Sequence, residues 1–223
     1  MKLYSGPLSL FTAKVRIALA EKGLPYERVE VGWSLEHRYE PHHPDVVALN
    51  PKRQVPVLVD SDVVVYDSTQ IFEYLEDRYP DPRLYPRDVA GRARCRRLEA
   101  AADEIVFPSL WPLVTESFYP PASGRQDEAK LAQARSELAA HHASLEKELT
   151  GRVWLCDEFS VADIASFVFL RTAAALGTPP APEHVALHGW MERTLARPAV
   201  AEEIDAMNRY VATLLAPRTA SAA

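Results

Sequence analysis

In the run NPKRQVPVLVDSDVVVYDSTQIFEYL, from Asn50 to Leu75, the groups able to hold a small polar ligand gather at the two ends of a predicted hairpin. At the far end, Asp67 and Ser68 stand just before Ile71, Tyr74, Leu75, Arg78 and Tyr79, which recur at helical spacing, so Ser68 is expected to cap a helix. A helix N-terminus turns free N–H groups towards an anion, and Asp67 beside it supplies a negative charge. Together they suit a carboxylate and an ammonium held side by side, the α-amino acid end of a ligand; capping alone is the other role open to them. At the near end, Pro56 has no N–H and keeps Val55 extended, which fits the first residue of a strand or an edge, where a cis Val55–Pro56 bond is also at home. An extended Val55 beside an edge offers its N–H and C=O to an extended peptide ligand, as in strand addition.

V-P-V-L, a hairpin, then D-S and an amphipathic helix, with N-P and Gln54 ahead of them, resembles the glutathione-binding half of the cytosolic glutathione transferases. A second motif, WLCDEFSVADI, resembles the matching helix start in the other half, so the resemblance runs over almost the whole chain. It implies that Val55 pairs its backbone with the cysteinyl part of glutathione, that Pro56 is cis, that Asp67 and Ser68 hold the γ-glutamyl end, and that Gln54 contacts the glycyl and cysteinyl parts. His42, or one of Lys52 and Arg53, is a candidate for the glycyl carboxylate; a solvated basic surface is the alternative for all three. The resemblance further implies a homodimer that conjugates glutathione to a small hydrophobic electrophile in cytoplasmic detoxification.

Such an enzyme must present glutathione as thiolate, because a free thiol has a pKa of roughly 8.5. Lowering it by about two units needs about 2.7 kcal/mol. One charge-assisted hydrogen bond, at roughly 1.5 to 3 kcal/mol, with a helix N-terminus, at roughly 0.3 to 2 kcal/mol, is sufficient. In SLFTAKVRIAL, Ser9 matches the catalytic serine of the theta, delta and tau classes, although Leu10 and Ala13 depart from the common pattern; a plain cap on the following helix is the other role open to it. Phe11 stands where the zeta class has a cysteine, which argues against maleylacetoacetate isomerase activity. Tyr4, Ser5 and Thr12 are rival hydroxyls, with alternation along the strand putting Tyr4 and Ser5 on opposite faces. Phe107, Trp111, Thr115 and Tyr119 would line the electrophile's site if their helix faces Ser9. A non-catalytic binding module, or a glutathione-dependent peroxidase or dehalogenase, are the alternatives on the same fold.

The elements that must position these groups follow from periodicity. Lys2 to Ser5 reads as a strand, the segment after Ser9 as a helix ended by Gly23 and Pro25 with Lys14, Glu21 and Lys22 facing outward, and Tyr26 to Val31 as a second, parallel strand. The irregular segment from Trp33 to Leu49 carries one short helix. With the hairpin and its helix this makes an α/β thioredoxin-like domain over residues 1–80. Pro82 and Pro86 mark a linker, 81–88, and an all-α C-terminal helical bundle fills 89–223. Helices are expected near Val89–Ser117, Gln126–Thr150, Val161–Leu176, Glu183–Ala196 and Ala199–Leu215, with a frayed tail from Pro217 to Ala223. In FSVADI, Ser160 and Asp163 are spaced as a capping box, so the carboxylate is structural rather than catalytic; a glycine usual in the family is missing between Cys156 and Asp157.

With 223 residues, 48% of them hydrophobic, the chain has ample core. A formal charge of -6 argues against nucleic acid and anionic membranes as partners. No apolar run approaches a membrane span and the first residues resemble a strand rather than a signal peptide. Two cysteines, Cys95 and Cys156, form neither a disulfide framework nor a C-x-x-C motif, and the seven histidines show no metal-ligand spacing, so no metal is expected.

Overall fold

The computed structural model describes residues 1–40, 42–119 and 126–215; the tail from Pro217 to Ala223 lies outside them. The first domain is a four-stranded sheet in the order β2-β1-β3-β4, built from β1 (Lys2–Ser5), β2 (Glu27–Glu30), β3 (Val57–Asp60) and β4 (Val63–Tyr66). Strand β1 runs parallel to β2 and antiparallel to β3, and β3 pairs with β4 through the hairpin. Helix α1 (Leu10–Glu21) joins β1 to β2, α2 (Pro44–Leu49) follows the irregular segment, and α3 (Ser68–Arg78) follows β4. This is the thioredoxin-like arrangement expected from the order of elements.

The second domain is helical: α4 (Val89–Ala101), α5 (Phe107–Phe118), α6 (Glu128–Leu149), α7 (Val161–Ala175), α8 (Val185–Leu195) and α9 (Pro198–Leu215). The single helix expected over Val89–Ser117 is interrupted by a π turn at Ala102–Val106, where the Phe107 N–H reaches back to the Ala102 carbonyl. Pro108 has no N–H for the carbonyl four residues earlier and its ring crowds that carbonyl, which favours a break in the regular ladder at this point, whereas α5 continues through Pro112. Helix α7 forms the core of the domain and is buried along nearly its whole length. The expected capping box is present at its start: the Asp163 carboxylate accepts from Ser160 N at 3.0 Å and Ser160 Oγ at 3.1 Å. It also takes Leu155 N at 3.0 Å and Trp190 Nε1 at 2.7 Å, so one buried carboxylate ties α7 to the preceding loop and to α8. Cys95 and Cys156 are both buried free thiols, and they sit against each other.

The expected outward face of α1 does not exist. Lys14 is fully buried, donating to Glu99 at 3.0 Å and pairing with Asp103, while Thr69 donates to the same Glu99 at 2.9 Å. Lys22 is buried as well, against Glu76 and the carbonyls of Tyr79 and Pro82. The second domain covers part of the side of α1 that a free-standing thioredoxin-like unit would turn to water and brings Glu99 and Asp103 to Lys14, whereas Lys22 is neutralised from within the first domain, by Glu76 of α3.

Candidate functional site

A cleft of about 1250 Å³ opens between the two domains. Its first wall begins where β1 gives way to α1. Gly6 lies under the ring of Tyr39, leaving no room for a side chain, and Ser9 follows in an extended conformation with φ −73° and ψ 111°. Ser9 Oγ accepts from Thr12 N at 3.2 Å, the ordinary N-cap bond. That bond uses a lone pair and leaves the hydroxyl hydrogen for another acceptor. Ser9 lines the cleft at the positive end of a twelve-residue helix.

The rival hydroxyls are engaged elsewhere. Tyr4 is buried and donates to Asp45 Oδ2 at 2.7 Å; burial and that bond push its pKa up to about 12. Ser5 is buried on the opposite face and accepts from the Arg16 guanidinium at 2.6 Å. Thr12 is buried with its hydroxyl unpartnered, and none of the three lines the cleft.

Gln54, Val55 and His42 share the cleft wall with Ser9, and Arg53 joins them. The Val55–Pro56 bond is cis. Among the described residues, Val55 makes no backbone hydrogen bond, so its N–H and C=O are free just ahead of β3, an interior strand rather than the edge that Pro56 also allows. His42 Nδ1 lies 2.8 Å from Glu40. Pro56 is buried behind the wall rather than in it.

Asp67 and Ser68 do not line the cleft. Ser68 is the first residue of α3 rather than its cap; Asp67 takes the cap position, its carbonyl accepting from Ile71 N at 2.9 Å. Asp67 has φ 68°, a left-handed value that rules out its own entry into the helix and that side-chain-bearing residues hold mainly where the surroundings enforce it. Its carboxylate makes no capping bond and instead meets the Lys52 ammonium at 2.6 Å.

The second wall is aromatic and aliphatic. Phe107, Trp111 and Tyr119 line it as expected, whereas Thr115 turns its hydroxyl to the Trp111 carbonyl at 2.8 Å and stays out. Phe11, from α1, packs against Phe107 with ring centres 4.7 Å apart, so one aromatic cluster spans both domains beside Ser9. Trp33 lies in the loop after β2 and donates to the Tyr119 hydroxyl at 3.2 Å, while Arg38 stacks on the Tyr119 ring at 4.1 Å. Sequence reasoning passed over Trp33, Arg171 and Met207, which also line the cleft. Met207 carries no local signal. Arg171 does: it is the one charge in the apolar run from Ile164 to Leu176. Among the described residues, no group of three or more His, Cys, Asp or Glu is placed to hold a metal ion.

Residues 8–78 match the family model of the glutathione S-transferase N-terminal domain, and residues 108–198 that of the C-terminal domain. Glutathione S-transferase 3 of Zea mays is 31% identical over 220 residues, covering 93% of this chain and 94% of that protein. The stringent starvation protein A homolog of Coxiella burnetii is 44% identical over 112 residues, 49% of this chain, which thus spans only 50% of that relative's length. Among solved structures, a glutathione S-transferase from Rhodospirillum rubrum F11 superposes with a TM-score of 0.79 at 32% identity, over 91% of this chain and 90% of that one.

Proposed function

The chain belongs to the glutathione S-transferase family, and on that premise we propose that it binds glutathione along the first wall of the cleft, ionises its thiol beside Ser9 and transfers the thiolate to an apolar electrophile. The observation that carries this reading is Ser9 itself, an N-cap on the cleft wall whose hydroxyl already accepts from Thr12 N and so has its hydrogen to give. Donation from that hydroxyl, with the N-terminus of α1 behind it, supplies the roughly 2.7 kcal/mol that a two-unit fall in thiol pKa requires.

The rest of the tripeptide follows from the same wall. The free N–H and C=O of Val55 pair with the cysteinyl backbone, Gln54 reaches the neighbouring peptide, and His42 or Arg53 meets the glycyl carboxylate. Beyond that wall, outside the cleft itself, Asp67 and the start of α3 at Ser68 take the γ-glutamyl end. The Asp67 carboxylate already accommodates an ammonium, that of Lys52, and the ligand's ammonium would replace it. Residues 1–80 thus form the glutathione-binding domain, 81–88 the linker and 89–223 the domain that shapes the electrophile pocket. We extend the reading, from the family alone, to a cytoplasmic homodimer acting in detoxification.

The test is a pH titration of enzyme-bound glutathione by ultraviolet thiolate absorbance. Wild type is expected to show a thiol pKa lowered by about two units, and Ser9→Ala to bring it back towards the free value of roughly 8.5. Binding with no lowering in either protein would overturn the role of Ser9. A second reading, a binding module that does not turn glutathione over, is favoured by the relative matched over half its length whose name carries no transferase activity. It predicts a vestigial site, with glutathione either bound with an unshifted thiol or not bound at all.

A further inference from the structure

Arg171 is the sole charged side chain between Asp163 and Glu183, in a helix that beyond its first turn is mainly apolar and mostly buried. It is half-buried and falls on the cleft wall with Thr172, Ala175 and Leu176. Thr172 turns its hydroxyl back to the Val168 carbonyl at 2.8 Å, so Arg171 is the polar group that this wall presents. None of the hydrogen bonds and ion pairs found among the described residues involves Arg171. The other cations near the cleft differ. Arg16 is closed by Glu203, Lys14 by Glu99 and Asp103, and Arg38 lies on the Tyr119 ring. Arg53 belongs to the first wall, where glutathione's own carboxylate needs a partner.

A guanidinium carries five N–H donors in a planar fork, and partial burial without an acceptor is unfavourable. A carboxylate satisfies two of those donors at once and shares the fork's plane. Phe107, Trp111 and Val114 of α5 and Met207 and Val211 of α9 line the same cleft, with Asn208 as the polar side chain of that α9 stretch, and together they suit the flat apolar body of a ligand.

We propose that the electrophile is an anionic aromatic compound, its ring held in the aromatic wall and its carboxylate held by Arg171, which makes Arg171 a specificity-determining residue. The inference rests on the glutathione transferase reading and narrows its substrate class, giving the electrophile's apolar body one carboxylate. With an aryl halide of this kind, the glutathione sulfur forms a bond to the ring carbon, the carbon–halogen bond breaks, halide departs, and the thiol proton goes to solvent.

Two glutathione conjugates test it: glutathione joined through sulfur to 3,5-dinitrobenzoate at ring position 4, and the same conjugate with the carboxylate replaced by a carboxamide. Their affinities are measured by calorimetry, beside that of glutathione, for wild type, Arg171→Gln and Arg171→Lys. Wild type is expected to prefer the acid at least tenfold. Arg171→Gln should lose that preference while holding the amide conjugate and glutathione within threefold of wild type, and Arg171→Lys should keep part of it. Equal wild-type affinities, or a preference intact in Arg171→Gln, would overturn the inference and leave glutathione binding standing. Failure of wild type to bind glutathione or either conjugate would overturn the transferase reading along with it.

Discussion

At the scale of single residues, the site turns on which hydroxyl is left with a hydrogen to donate. Four candidates lie within the first twelve residues, and their neighbours separate them. Tyr4 OH is held by Asp45, Ser5 receives the Arg16 guanidinium, Thr12 is sealed in the core, and Ser9 alone lines the cleft. Tyr4→Phe is therefore expected to leave the pKa of bound glutathione unchanged and to reduce stability by about 1 kcal/mol, the net value of one hydrogen bond, as read from urea denaturation. A change in the thiol pKa in that variant would return Tyr4 to the list of catalytic candidates. Alternation along β1 was enough to separate Tyr4 from Ser5. It could not say which face the cleft would occupy, because that depends on what covers each face.

Among the elements, the helices carry a device that their periodicity hides. His142 lies on the buried face of α6 with Nε2 unpartnered, and His184, the cap of α8, has an equally unpartnered Nδ1. Burial first, then the proximity of His184, His141 and His188, lowers the His142 pKa to about 4. The unfolded chain, with a histidine pKa near 6.5, therefore takes up its proton at higher pH than the folded one. Stability is complete above about pH 6.5 and is lost as pH falls towards 4, by an amount on the order of 3 kcal/mol. His142→Leu is expected to flatten this part of the profile, measured by denaturation at pH 7 and pH 4.5 against wild type. An equal fall in both proteins would assign the acid sensitivity to other groups. From sequence, His141-His142 is only a pair in a helical run; which of the two is buried depends on the register of α6 against α8.

For the whole molecule, the decisive contacts are those between domains. Arg16 of α1 donates to both oxygens of Glu203 on α9, at 2.8 and 2.5 Å, and to the Gly6 carbonyl at 3.2 Å. The pair is buried and sits behind the loop that presents Ser9. Removing one partner of a buried ion pair costs about 3 to 5 kcal/mol, because the other charge is left without compensation. Glu203→Ala is expected to lose about 3 kcal/mol in urea denaturation and to loosen α9, whose Met207 and Val211 close the cleft. Affinity for the amide conjugate should then fall more than affinity for glutathione, which is held by the first domain. Equal losses for both would mean that α9 supports the whole cleft rather than its electrophile side.

The sequence by itself determined the strand–helix order of the first domain, the hairpin between Asn50 and Leu75, the capping box at Ser160 and Asp163, and the resemblance carried by Ser9, Gln54, Val55, Asp67 and Ser68. These are local in origin, set by turn chemistry, capping and the period of apolar residues over a few positions. Tertiary structure alone decided that Lys14 and Lys22 are buried, that the long helix breaks at Ala102–Val106, that Asp67 rather than Ser68 takes the cap, and that Arg171 reaches the cleft. The two lysines and the cleft depend on partners far away in the chain, while the helix break at Pro108 and the cap at Asp67 turn on local backbone geometry that apolar periodicity does not register. A lysine at helical spacing is drawn towards water unless Glu99 and Asp103 are brought to it, and no window along the sequence contains that meeting.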